Sequence, residues 1–247
     1  MSEPRKSPEG KDEVLLSRTR DGEERSGFPL GGVLAGLACL IGLVRFVRLG
    51  EWSLWIDEVL TVADFQNRLG EGNVVNQGGY ALIAWVSSLF EPTPDTFALR
   101  FLPALIGWLH LPVLWLLWRR PIGSLQAGAA ALLLAVSPWH LYWSQNVRFY
   151  TFASFCALVG VSLTFRVLYD GSRPEILRRR LLFGLFGFGC AVVAILFHPS
   201  TALAVFALGL SPWIVWALEG KPEAGTDPRR TGRRLAQAIL VLCFLGA

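Results

Sequence analysis

The chain has 247 residues, 53% hydrophobic and 17% charged, with a mean hydropathy of +0.44. An ordinary soluble domain carries about 25% charged residues, so this balance excludes that class and assigns the net charge of +4 to membrane topology rather than to nucleic acid. The four cysteines (Cys39, Cys156, Cys190, Cys243) lie far apart in apolar runs without CxxC spacing, which excludes a disulfide framework or a zinc site.

Residues 1–27 hold six Lys/Arg and seven Asp/Glu without an apolar stretch. They predict a disordered cytoplasmic tail and not a cleavable signal, whose charged region is short and positive. Apolar runs follow at 28–44, 101–118, 122–143, 149–168, 181–197 and 199–218. About 20 helical residues cross a bilayer core, so each run predicts a span, the first a retained anchor. A seventh run, 235–247, has thirteen residues, and the sequence is therefore expected to be the N-terminal portion of a longer protein, or a truncated gene product. The expected fold class is an all-α polytopic membrane protein, with a helix bundle over 28–247.

With the N-terminus in the cytoplasm, the inside segments 1–27, 119–121, 166–180 and 219–234 carry 18 of the 23 Lys/Arg. Arg45, Arg48, Arg68, Arg100 and Arg148 fall outside, an asymmetry that fits the positive-inside rule. Arg45 and Arg48, at the outer end of the first span, run against it.

Residues 45–97 then form one large extracytoplasmic loop. Asp57, Thr61, Asp64 and Arg68 fall on one helical face, and Trp55, Val59, Val62 and Leu69 on another. This predicts an amphipathic helix on the outer membrane surface. "GEGNVVNQGG", 70–79, predicts a break, Tyr80 to Phe90 a second short helix, and "EPTPD", 91–95, punctuation before the second span. "WSQNVR", 143–148, and His198-Pro199-Ser200 make tight outside connections. Most polar residues capable of chemistry thus collect on the outer face: Asp57, Glu58, Asp64, Gln77, Arg100, Gln145, Asn146, Arg148, Tyr150 and His198.

"LWIDEVLT" after the first span, "ALRFLPALIG" opening the second and "SPWHLYWSQNVRFYTF" from the third into the fourth together resemble the GT-C superfamily. The likeness is to membrane glycosyltransferases related to protein O-mannosyltransferases and to the lipid A aminoarabinose transferase; "LFHPSTAL" is similar to the His-containing end of that family's fifth span. The resemblance covers roughly residues 28 to 218. It implies a GT-C-like bundle in the bacterial inner (plasma) membrane and an extracytoplasmic active face. There a sugar would pass from a polyprenyl-phosphate donor to a lipid, glycan or protein acceptor. This chain departs from the family at Asn146, where an acid is common, and at "QGGY", 77–80, where Pro-Pro-Leu-Tyr is common.

Such a transfer needs a base for the acceptor proton and a cation for the departing phosphate. Asp57 fits the base by position, and the resemblance points to the same residue; its plain alternative is an acid on a solvated helix face. Glu58 lies about 100° round the helix, where it could hold a divalent ion with Asp57, orient the acceptor, or stay solvated. Magnesium or manganese suits such oxygen ligands. Arg148 and Arg100 are candidate phosphate clamps, or snorkelling arginines at span ends. Tyr150 in the matching motif, Tyr80, Gln145 and His198 complete the substrate-binding candidates, although His198 before Pro199 also fits a helix break. His110, mid-span, reads as a packed, hydrogen-bonded histidine. Two rival functions remain at this level: a transporter or flippase for lipid-linked sugars, and a non-catalytic scaffold of the same fold.

Overall fold

The structure is a computed structural model that describes residues 30–66, 82–83, 85–86, 88–89, 95–169, 177–198, 200–203 and 206. The tail 1–27, Tyr80, Gln77, Arg68, nearly all of run 199–218 and run 235–247 lie outside the described residues. The chain divides into two units, Met1–Leu30 and Gly31–Ala247. The second unit holds the helices that pack on one another. Among the described residues every regular element is helical and none is a strand.

Helix α1 (Leu30–Gly42) runs into a 3-10 turn, Leu43–Phe46. Helix α2 is Ile56–Gln66 and α3 Thr96–Trp118. They are followed by α4 (Ser124–Val136), α5 (Pro138–Ser144), α6 (Tyr150–Tyr169) and α7 (Leu177–Phe197). Two segments, Thr96–Trp118 and Tyr150–Val167, are long and apolar enough to cross a membrane. Leu30–Phe46, Ser124–Val136 and Leu181–Phe197 are shorter apolar helices.

Local chemistry sets the boundaries. Asp95 closes "EPTPD" as the N-cap of α3, its Oδ1 accepting from the Ala98 N–H at 2.7 Å. The run 122–143, expected as one span, is two helices. Pro138 lacks an N–H to donate to Leu134, and Ser137 caps the new start by accepting from the His140 N–H at 3.3 Å.

Helix α3 is the hub, packing on α4, α5, α6 and the 3-10 turn. One core joins Ala38, Leu111, Leu114, Trp118, Ala131 and Phe165; a second joins Ile83, Leu99, Leu102, Val147 and Phe152. Helices α6 and α7 approach backbone to backbone. A Cβ added at Gly160 would lie 2.8 Å from the Ala191 nitrogen and 2.9 Å from the Gly187 oxygen. Small residues permit this closeness, the usual way in which apolar helices associate without a hydrophobic driving force.

Candidate active site

Helix α2 has the predicted existence but not the predicted faces. Glu58 and Thr61 are buried, while Ile56, Val59 and Leu60 are exposed. The stripe Trp55–Val59–Val62 is therefore split: Trp55 and Val62 turn partly inward and Val59 outward. An ion pair sets this rotation.

Glu58 is fully buried and all its acceptor positions are filled. Oε1 accepts from Arg100 Nε at 3.0 Å and from the Val147 N–H at 2.8 Å. Oε2 accepts from Arg100 Nη2 at 2.6 Å and from the Trp55 N–H at 3.1 Å. The last bond is the reach of an N3 glutamate back to the residue preceding its helix. Arg100 spends its remaining donors on the carbonyls of Leu49 (3.2 Å), Trp52 (3.0 Å) and Ser53 (3.2 Å). All five guanidinium N–H groups are thus occupied. In this arrangement Arg100 has no donor left for a phosphate, and Glu58 has no lone pair left for a proton or a metal. The pair ties the 49–53 segment, the start of α2 and the turn at Val147 into one rigid joint.

Asp57, one residue earlier, is half-buried in the first turn of α2. Among the described residues its carboxylate makes no hydrogen bond or ion pair. Its backbone carbonyl accepts from Arg148 Nη1 at 3.3 Å and from Thr61 Oγ1 at 2.7 Å. Arg148 also donates to Thr61 Oγ1 at 3.1 Å and from Nη2 to the Tyr150 hydroxyl at 3.2 Å. Its guanidinium lies 5.2 Å from the Phe149 ring centre and 5.3 Å from that of Tyr150. The His198 ring packs 5.1 Å from Tyr150 and bonds Ser200 Oγ through Nδ1. Asp57, Arg148, Tyr150 and His198, from three separate stretches of chain, therefore meet at one place.

The other candidates fall elsewhere. Gln145 caps the end of α5 and donates from Nε2 to the Arg45 carbonyl at 3.1 Å. Asn146 is buried and donates to the Tyr142 carbonyl at 2.6 Å. Among the described residues no three His, Cys, Asp or Glu side chains assemble as metal ligands. In this arrangement Glu58 is engaged by Arg100 and is not shared with Asp57 as a metal ligand.

One buried polar group was not legible as such. Arg45 is fully buried and has no acidic partner among the described residues. It donates to the carbonyls of Leu134 (3.3 Å) and Ala135 (3.5 Å) and to His140 Nδ1 at 2.8 Å. Both carbonyls lie in the last turn of α4, where the side chain adds to the Ser137 N–H that reaches Leu134. The two signals were present separately: an arginine that breaks the charge rule, and a Ser-Pro inside an apolar run. His110 lies beside this group, bonded to the Ile106 carbonyl at 2.9 Å and to Ser154 Oγ at 3.1 Å. Comparison of the chain with protein-family models, curated proteins and solved structures returns no match in any of the three.

Proposed function

We propose that the protein is a membrane glycosyltransferase of the GT-C kind, an all-α polytopic protein whose six apolar runs each span the membrane and whose N-terminus is cytoplasmic. It moves a sugar from a polyprenyl-phosphate donor to a lipid, glycan or protein acceptor at the extracytoplasmic face. The observation that carries the reading is the contact of Arg148 with the Asp57 backbone carbonyl and the Tyr150 hydroxyl, with the His198 ring beside Tyr150. The ordered motifs that resemble the GT-C superfamily supply the reaction class.

In this reading the acceptor oxygen or nitrogen attacks the sugar's anomeric carbon as the carbon–oxygen bond to phosphate breaks. The acceptor proton passes to Asp57, and the phosphate leaves with the bonding electrons. Arg148 is placed to meet that charge. Its planar donor fork suits a phosphate anion. Glu58 and Arg100 act as the joint that fixes the start of α2. Proteoliposomes given labelled polyprenyl-phosphate sugars test the reading: label on an acceptor supports it, while label carried across the bilayer unchanged, or left where it began, refutes it.

A further inference from the structure

The end of the bundle where α3 stops carries cations and, among the described residues, no carboxylate. Trp115 Nε1 donates to Ser124 Oγ at 3.4 Å, and Arg166 Nη2 donates to the Leu116 and Leu117 carbonyls at 3.0 Å and 2.6 Å. These bonds bring the end of α3, the start of α4 and the end of α6 to one level. Helix α7 begins there too. It runs antiparallel to α6, with Gly187 against Leu163 and Gly184 against Val167, and it opens on Leu177-Arg178-Arg179-Arg180. Every Asp and Glu among the described residues (Glu51, Asp57, Glu58, Asp64, Asp95) belongs to the stretch that meets the opposite end of α3 through Asp95 and Glu58. With 23 residues, α3 separates the two ends by about 35 Å.

Two of these cations are uncommitted. Arg119 and Arg120 are exposed, and their side chains make no hydrogen bond or ion pair among the described residues. The Arg119 guanidinium lies 4.7 Å from the Trp115 ring centre. Stacking uses the face of a guanidinium and leaves its edge donors open. Leu116 is exposed one turn before both arginines, on their side of the helix, and continues the apolar surface beneath them. Arg48, at the other end, is the contrast: it too lies over an indole, 5.7 Å from the Trp52 ring centre, but it is paired with Glu51. A guanidinium held by an indole at the edge of an apolar span, with a second beside it and a leucine below, suits a ligand with an anionic phosphate head and a hydrocarbon tail. We propose that Arg119 and Arg120 bind the phosphate of an anionic phospholipid in the cytoplasmic leaflet, with an acyl chain along Leu116. This rests on the membrane embedding and orientation proposed above and not on sugar transfer, since the site lies at the far end of α3 from Asp57.

Native mass spectrometry of the full chain in detergent, titrated with phosphatidylglycerol or with phosphatidylcholine of the same acyl chains, reads the headgroup alone. Phosphatidylglycerol should bind about tenfold more tightly, the scale of two arginines at a headgroup. Arg119→Gln/Arg120→Gln should abolish that preference, whereas Arg119→Lys/Arg120→Lys should keep most of it because both charges remain. Arg48→Gln removes an exposed arginine from the outer end and should leave the preference unchanged. No preference in the unaltered protein, a preference that survives the glutamine pair, or one lost equally in Arg48→Gln overturns the proposal. Weaker binding of both lipids by the glutamine pair overturns it as well, because packing and not charge is then what was lost. Each of these results leaves the transfer reading standing, since movement of labelled sugar is measured separately.

Discussion

Glu58→Gln isolates the joint between Glu58 and Arg100, because size is kept while charge and two-oxygen symmetry are lost. Four donors converge on the Glu58 carboxylate: Arg100 Nε, Arg100 Nη2, and the N–H groups of Val147 and Trp55. An amide offers one oxygen, so its NH₂ must face two donors, and a buried guanidinium loses its counter-charge. Removing one member of a buried pair typically costs about 3–5 kcal/mol. The site is fully enclosed, so solvent screening does not reduce the cost. Arg100→Met should cost a similar amount, since it orphans the carboxylate and three carbonyls. The two losses should not add, because each destroys the same network. Equilibrium unfolding in mixed micelles, followed by far-UV circular dichroism, measures both variants and the double variant. A loss below about 1 kcal/mol for Glu58→Gln, the scale of a solvent-exposed pair, would refute the buried joint.

Gly160→Val should separate α6 from α7, because its Cβ would meet the Ala191 backbone at 2.8 Å; disulfide-trapping yields between cysteines introduced along the two helices should fall. Arg45→Met should loosen the α4–α5 break by removing the side-chain donor to the Ala135 carbonyl and one of the two donors to Leu134, at a cost of about 1–3 kcal/mol for a buried unsatisfied group; the same micelle unfolding assay reads it. Arg148→Lys should weaken donor use about tenfold, because a planar fork becomes a point charge, seen as a raised KM for the polyprenyl-phosphate sugar. Single cysteines on a background lacking the four native ones should label from outside with an impermeant reagent at position 145 and not at position 179, and the opposite pattern would overturn the topology.

Helix content, the boundary at "EPTPD" and the existence of α2 were legible because each depends on local chemistry: apolar periodicity and flanking turn residues. Asp57, Arg148, Tyr150 and His198 were singled out by position and by motif resemblance; Arg148 bonds the Asp57 backbone carbonyl and the Tyr150 hydroxyl, and the His198 ring packs on Tyr150. The faces of α2 were not legible. Periodicity treated Glu58 as one more polar residue, whereas a partner 42 positions away pulls it inward and rotates the helix. Arg100 resembled a clamp for the same reason, since its five donors are consumed by atoms from the 49–53 segment and Glu58. The break at Pro138 shows a different limit: hydropathy counts side chains, but the helix ends on a missing backbone N–H.

Sugar transfer by Asp57→Asn tests the central claim most directly. The substitution keeps the size of the side chain and removes the basic oxygen, and Asp57 has no ion pair among the described residues whose loss would confuse the result. Transfer from labelled polyprenyl-phosphate sugar should fall about 10² to 10⁴-fold, the usual contribution of a general base, while binding of the sugar-free lipid phosphate and helicity stay unchanged. Transfer at a rate near that of the unaltered protein, with folding matched, would contradict a catalytic role and make Asp57 an ordinary acid at a helix start.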